Sequence, residues 1–145
     1  MRTTALACAA LLALTGCLET TGTQDPVGVQ LIMSAQAFPI NGATGVATAP
    51  FLLSNFAAAI IEVPTCNGRV AAVVERREGD TWAVANENAC PDGVEIVSVS
   101  VQPGSRVSSE ALIGTQGHYR LRVPFTPANQ PGVEYDVVSG EFDVT

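Results

Sequence analysis

Over residues 29–145 the chain never runs far without a turn former. Short apolar stretches are cut repeatedly by Gly, Pro, Asn and Asp. Nine segments read as strands: 29–37, 45–54, 59–63, 69–76, 81–85, 94–101, 106–112, 117–125 and 134–144. They are rich in Val and hold both tyrosines, residues that suit a pleated, half-buried surface, and most Gly and Pro fall between them. No stretch carries a capped apolar stripe at helical spacing, and residues 108–112 offer one helical turn at most. Turn signals every eight to twelve residues point to an all-β antiparallel sandwich or barrel. Two local features sharpen this. Arg77-Glu78-Gly79-Asp80 reads as a hairpin turn, and a change of face within 94–101 predicts a β-bulge.

Composition sets the scale. The chain has 145 residues, enough for one domain, with 47% hydrophobic, 14% charged and 6% aromatic residues. That balance is globular, not disordered. The formal charge is -7, and every basic residue is arginine. The arginines cluster no further than Arg76-Arg77 and Arg120/Arg122. An acidic domain without a basic stripe excludes nucleic acid as an expected partner. It also argues against electrostatic docking on anionic lipid.

The first residues are an address. Arg2 precedes an apolar run over 5–14, and Thr15-Gly16 is a small-residue cut site. The run is too short to span a bilayer. Leu14-Thr15-Gly16-Cys17 resembles the lipobox of bacterial lipoproteins. The resemblance implies a signal peptide over 1–16, a diacylglyceryl group on the Cys17 thiol and cleavage before Cys17. Two or three acyl chains make a lasting anchor where one is marginal. In known lipoproteins a residue other than Asp after the cysteine favours the outer membrane, and here it is Leu18. Without Arg2 the side-chain charge becomes -8, from six Arg and fourteen acidic groups. Residues 17–28 then read as the lipidated cysteine and its tether, and 29–145 as the domain.

This reading alters the cysteine arithmetic. Of four cysteines, Cys8 leaves with the signal and Cys17 carries lipid. Cys66 and Cys90 remain, in an oxidising compartment, and are expected to form a disulfide. Closing a loop of that length contributes about 3 kcal/mol.

Several stretches resemble small bacterial immunoglobulin-like modules: Leu53-Ser54-Asn55-Phe56, Gln102-Pro103-Gly104-Ser105, Gly117-x-Tyr119-Arg120-Leu121 and Ser139-Gly140-Glu141-Phe142. The order is similar to that of the BsuPI-type proteinase-inhibitor domain. The resemblance implies an immunoglobulin-like antiparallel β-sandwich of about seven to nine strands. It also implies that Tyr119 is a structural corner with a satisfied hydroxyl. Leu121 stands where antibody domains carry their second cysteine, so a Cys66–Cys90 bridge is not their inter-sheet pair.

No catalytic or metal constellation emerges. His118 is the only histidine, there is no HExxH, no G-x-S-x-G and no phosphate-cradling glycine run. His118 is expected to be exposed, and Trp82 to pack in the core or its hairpin. Glu75, Glu78 and Asp80 with Arg76 and Arg77 read as a solvated hairpin tip. Oxygen ligands at Asn86, Glu87, Asn88, Asp92 and Glu95 do not match an EF-hand. Catalytic residues, cofactor and metal are therefore expected to be none. The loop over 126–132, with Pro127, Asn129, Gln130 and Pro131, is a candidate recognition loop, since two prolines lower the cost of ordering it. The expected function is a lipid-anchored envelope protein with a non-catalytic interaction or structural module, a protein partner being possible. The alternative is an envelope proteinase inhibitor. Oligomeric state is left open.

Overall fold

The structure is a computed structural model that describes residues 28–87 and 94–145. The signal segment, Cys17, residues 18–27 and Cys90 lie outside the described residues. The nine expected strands appear in place, three of them split in two. The elements are β1 (Val29–Met33), β2 (Ala37–Phe38), β3 (Ala47–Asn55), β4 (Ile61–Cys66), β5 (Arg69–Val70), β6 (Val73–Glu78), β7 (Thr81–Glu87), β8 (Val97–Val101), β9 (Arg106–Ile113), β10 (Gly117–Pro127), β11 (Tyr135–Val138) and β12 (Phe142–Val144). Residues 108–112 lie inside β9, so the one helical candidate is strand.

These elements form two sheets. The smaller has the order β1-β3-β9, all antiparallel. The larger is built on β10, with β12 and β11 along one edge and β6 and β4 along the other. β7 lies outside β6, and β8 lies outside β4. β1, β3 and β9 on one sheet, facing β4, β10 and β11/β12 on the other, correspond to strands A, B and E against C, F and G of the immunoglobulin-like sandwich. The segment over 29–37 splits because the chain changes sheets: β1 pairs β3, whereas β2 runs parallel to β12. The last segment splits at Ser139. Its N–H donates to the Leu121 carbonyl and its Oγ accepts from the Leu121 N–H, both at 2.9 Å, which spans the gap between β11 and β12.

Alternation explains the core. Along β10, Tyr119, Leu121, Val123 and Phe125 point inward and are buried. Along β3, Ala47, Ala49, Phe51 and Leu53 do the same. Phe142 meets Phe38 edge-on at 5.5 Å and stacks on Tyr119 at 6.1 Å. Each such large side chain taken from water stabilises the fold by roughly 1.5–3 kcal/mol. Leu121, in the position of the antibody cysteine, is fully buried, so an apolar contact replaces a covalent one.

The turns follow local chemistry. The hairpin at Gly79-Asp80 forms as expected, with Gly79 at φ 62° and Glu78 opposite Thr81. A second two-residue hairpin joins β4 to β5 at Asn67-Gly68, both at positive φ (48° and 76°), with Cys66 opposite Arg69. Asn-Gly is the strongest short hairpin signal in a sequence, and here it joins the expected strands 59–63 and 69–76. The bulge expected within 94–101 is not there: β8 pairs β4 in unbroken register from Val97 to Val101. Strand pairing starts at Val97, which accounts for the change of face. The register shift lies between Val74 and Glu75, opposite β7.

Candidate functional site

The two ends of the sandwich differ. At one end lie residue 28, the loop over 56–60, the turn over 102–105 and the loop over 128–134. Asn55, the last residue of β3, ties the 56–60 loop to the 102–105 turn. It is fully buried. Its Nδ2 donates to the carbonyls of Ala59 and Val101, both at 2.9 Å, and its Oδ1 accepts the Ala57 N–H at 3.0 Å. Its backbone N–H donates to Ser105 O, and its carbonyl accepts from Gly104. One amide side chain thus satisfies three loop backbone groups that folding takes from water.

Gly28 joins this cluster. Its carbonyl accepts the Phe56 N–H, and a Cβ at its φ of 103° would come within 2.6 Å of Ala57 N. The chain therefore enters the fold against the 56–60 loop. That loop reads Phe-Ala-Ala-Ala-Ile and has no polar side chain. Phe56 is 51% exposed, with the Arg106 guanidinium 5.9 Å from its ring centroid. Glu134 is the charged residue in the described loops of this end, and Arg106 opens β9 beside them.

The candidate recognition loop sits at the same end. Pro127 closes β10, and Ala128 N–H donates to Ile60 O at 2.8 Å. Gln130 N–H donates to Pro127 O, and Gln130 Oε1 accepts the Tyr135 hydroxyl at 2.7 Å. Asn129, Gln130 and Pro131 are exposed. Gln130 is thus a brace, and Asn129 and Pro131 face outward. Cys66 is buried at the end of β4. Its expected partner, Cys90, and the lipid site, Cys17, fall outside the described residues.

Sequence reasoning missed the outer face of the larger sheet. The outward residues of β10 are His118, Arg120, Arg122 and Pro124. Arg120 Nε lies 2.6 Å and Arg122 Nε 3.0 Å from the Glu75 carboxylate, and Arg122 also reaches Asp136 at 3.2 Å. Glu75 is 8% exposed, so it is not part of a solvated hairpin tip; Glu78 and Asp80 are exposed as expected. Burial pushes the Glu75 carboxyl up, but the hydrogen bonds from Arg120 and Arg122 prevail and hold it below the ordinary carboxylate range. The Arg122 guanidinium is held above its usual value: burial opposes the shift, and the Glu75 and Asp136 carboxylates outweigh it.

His118 lies further along the same face. Its Nε2 is 2.6 Å from Glu141 and its Nδ1 2.7 Å from Asp143. The bond to Glu141, then that to Asp143, raises the imidazole pKa, and the contact with His118 lowers that of Glu141. Arg77 also reaches Glu141, at 3.6 Å. Trp82 is not in the core. It lies half-buried on this outer face, with the Arg120 guanidinium 4.5 Å over its ring and His118 at 6.1 Å. The signal for this network is alternation: charges at 118, 120 and 122 share one face of a strand, whereas their partners are remote in sequence. Because Arg77, Arg120, Arg122 and His118 are paired with Glu75, Asp136, Glu141 and Asp143, the face offers little net field to steer a charged ligand.

Tyr119 is the expected corner. It is fully buried and its hydroxyl donates to Thr115 O at 2.9 Å, with Thr115 Oγ1 at 2.7 Å. Beside it a cavity of about 200 Å³ opens between Val74, Ala85, Ile113 and Thr115. That volume is below the range usual for ligand sites. Among the described residues no group of three or more His, Cys, Asp and Glu could hold a metal ion. No helix among them is long and apolar enough to cross a membrane.

No family model matches the chain, and no curated protein matches it in sequence. Among solved structures it is similar to the ASH / PapD-like domain of human CEP192 (PapD-like domain 7), at 9% identity and a TM-score of 0.42, covering 98% of this chain and 96% of that one. It is also similar to Northeast Structural Genomics Consortium target SoR45, at 7% identity and a TM-score of 0.39, covering 69% and 70% respectively. By its strand order the chain is an immunoglobulin-like β-sandwich.

Proposed function

We propose that the chain is a lipid-anchored protein of the bacterial cell envelope, and that its sandwich is a non-catalytic interaction module displayed at the membrane surface. The observation that carries this reading is the Leu14-Thr15-Gly16-Cys17 motif behind a short apolar run. Among the described residues the first strand begins at Val29, twelve residues after Cys17. Leu18 favours the outer membrane where the envelope has two. A Cys66–Cys90 disulfide belongs to the same reading, since both residues would then face an oxidising compartment. Mass spectrometry of the N-terminal peptide from the native host tests the anchor. An acylated peptide starting at Cys17 is expected, and Cys17→Ser should move the protein into the soluble fraction. An unmodified Cys17 in the mature protein would refute the anchor.

A proteinase inhibitor is the second reading. Its support is the exposed loop over 128–132, braced by the Ala128–Ile60 and Tyr135–Gln130 hydrogen bonds. An inhibitor should block a serine protease and survive it. Cleavage within this loop without inhibition, across a panel of such proteases, eliminates that reading.

A further inference from the structure

Resting on the anchored reading above, we propose that the loop end built on Asn55 lies against the phospholipid surface, with Phe56 as its aromatic contact and the Arg106 guanidinium beside it at the headgroups. The connection to the lipid and the apolar loop are at the same place. Ten residues, 18–27, separate Cys17 from Gly28, and fully extended they reach about 35 Å. Gly28 is fixed to Phe56 and Ala57 by its carbonyl and its close approach. The connection therefore joins the sandwich at this end. The opposite end, with Trp82 and the Gly79-Asp80 turn, is about 30 Å away at the strand rise of β10.

The chemistry of the end fits that surface. A loop exposed to water is ordinarily polar, yet 56–60 is Phe-Ala-Ala-Ala-Ile with Phe56 half exposed. Val133, 45% exposed, adds a second apolar residue on the neighbouring loop. In its described loops this end carries Glu134, with Arg106 at the start of β9 and Glu62 near the start of β4. A single aromatic side chain would not hold a free protein on a bilayer. A tethered one needs far less, because the second contact is intramolecular. Aromatic rings favour the headgroup level, where one side is apolar and the other wet. In this pose the 128–132 loop also faces the lipid, and the outer face of the larger sheet and the far end are left for a protein partner.

The chain's single tryptophan provides the test. The full lipidated protein is reconstituted in vesicles of phosphatidylethanolamine and phosphatidylglycerol containing brominated lipid, and flotation is measured alongside fluorescence. Wild type reports the far end through Trp82. A Phe56→Trp, Trp82→Phe double variant reports the loop end, and its ring keeps the place beside Arg106. The expected result is about two-fold quenching and a blue shift of the indole at position 56, with Trp82 of wild type unaffected. If the double variant floats with the vesicles and its indole stays unquenched, the orientation is wrong and the anchor stands. If neither protein floats, the anchored reading fails and this inference fails with it. Quenching of Trp82 as strong as that at position 56 also overturns the orientation.

Discussion

Replacing Asn55 by alanine should be among the most damaging single changes at the loop end. The substitution removes two donors and one acceptor together. Ala59 O and Val101 O lose their partner N–H groups at 2.9 Å, and Ala57 N–H loses its acceptor at 3.0 Å. The Val101 carbonyl bond is buried, so water does not replace it freely. A typical hydrogen bond contributes about 1 kcal/mol net, and leaving a buried partner unsatisfied costs about 1–3 kcal/mol. One buried and two part-buried groups give an expected loss of about 3 kcal/mol. For a domain of this size that lowers Tm by roughly 12 °C. Asn55→Asp separates hydrogen bonding from packing. Its shape is nearly unchanged and Ala57 N–H keeps an acceptor, but two carbonyls now face a carboxylate oxygen. It should therefore destabilise at least as much as alanine at neutral pH and recover partly in acid, where the carboxyl becomes a donor. Urea denaturation of the two variants, followed by circular dichroism, measures both effects. A loss below about 1 kcal/mol for Asn55→Ala would show that the loops are held by other contacts.

Three further outcomes follow from the geometry. Glu75→Gln leaves Arg120 and Arg122 without their shared carboxylate and should cost about 1–3 kcal/mol, against less than about 1 kcal/mol for Asp136→Asn on the exposed flank, both read by urea denaturation. The His118 imidazole should titrate above the ordinary histidine value in NMR. Because its folded pKa is raised, its contribution to stability is complete below the unfolded value and is lost as pH rises through the folded value, and His118→Gln should abolish that pH dependence; an imidazole titrating at or below the ordinary value contradicts the clamp. Tyr119→Phe keeps the ring against Phe142 but removes the donor to Thr115 O, so thermal melting should report a loss of about 1 kcal/mol, and an unchanged Tm would deny the corner its role.

The outer face shows where the sequence stopped being legible. Glu75 sits next to Arg76 and Arg77, and adjacency made it look like a surface hairpin residue. On a strand, adjacent side chains point to opposite faces, so its real partners are Arg120 and Arg122, 45 and 47 positions on. Trp82 packs on the outer face of its hairpin and not in the core, the two places left open for it. Alternation in a short edge strand says which residues share a face, not which face is covered. His118 does face outward, as its alternation with Tyr119 predicts, yet its partners were not legible. Its carboxylates arrive from the closing strand, 23 and 25 positions away.

By itself the sequence determined the strand positions, the Gly79-Asp80 hairpin, the sandwich class and the Tyr119 corner. The strand positions and the hairpin rest on local periodicity and turn chemistry, which act over a few residues; the sandwich class and the Tyr119 corner rest on short motifs that resemble immunoglobulin-like modules. The lipobox reading is local too, and is carried by four consecutive residues. The tertiary structure alone decided that the first strand changes sheets, that Glu75 is buried between two arginines, and that Gly28 meets the apolar 56–60 loop beneath Asn55. Each of these depends on which strands become neighbours. That choice is made by the summed burial of many side chains across the core, and no short window of sequence contains it.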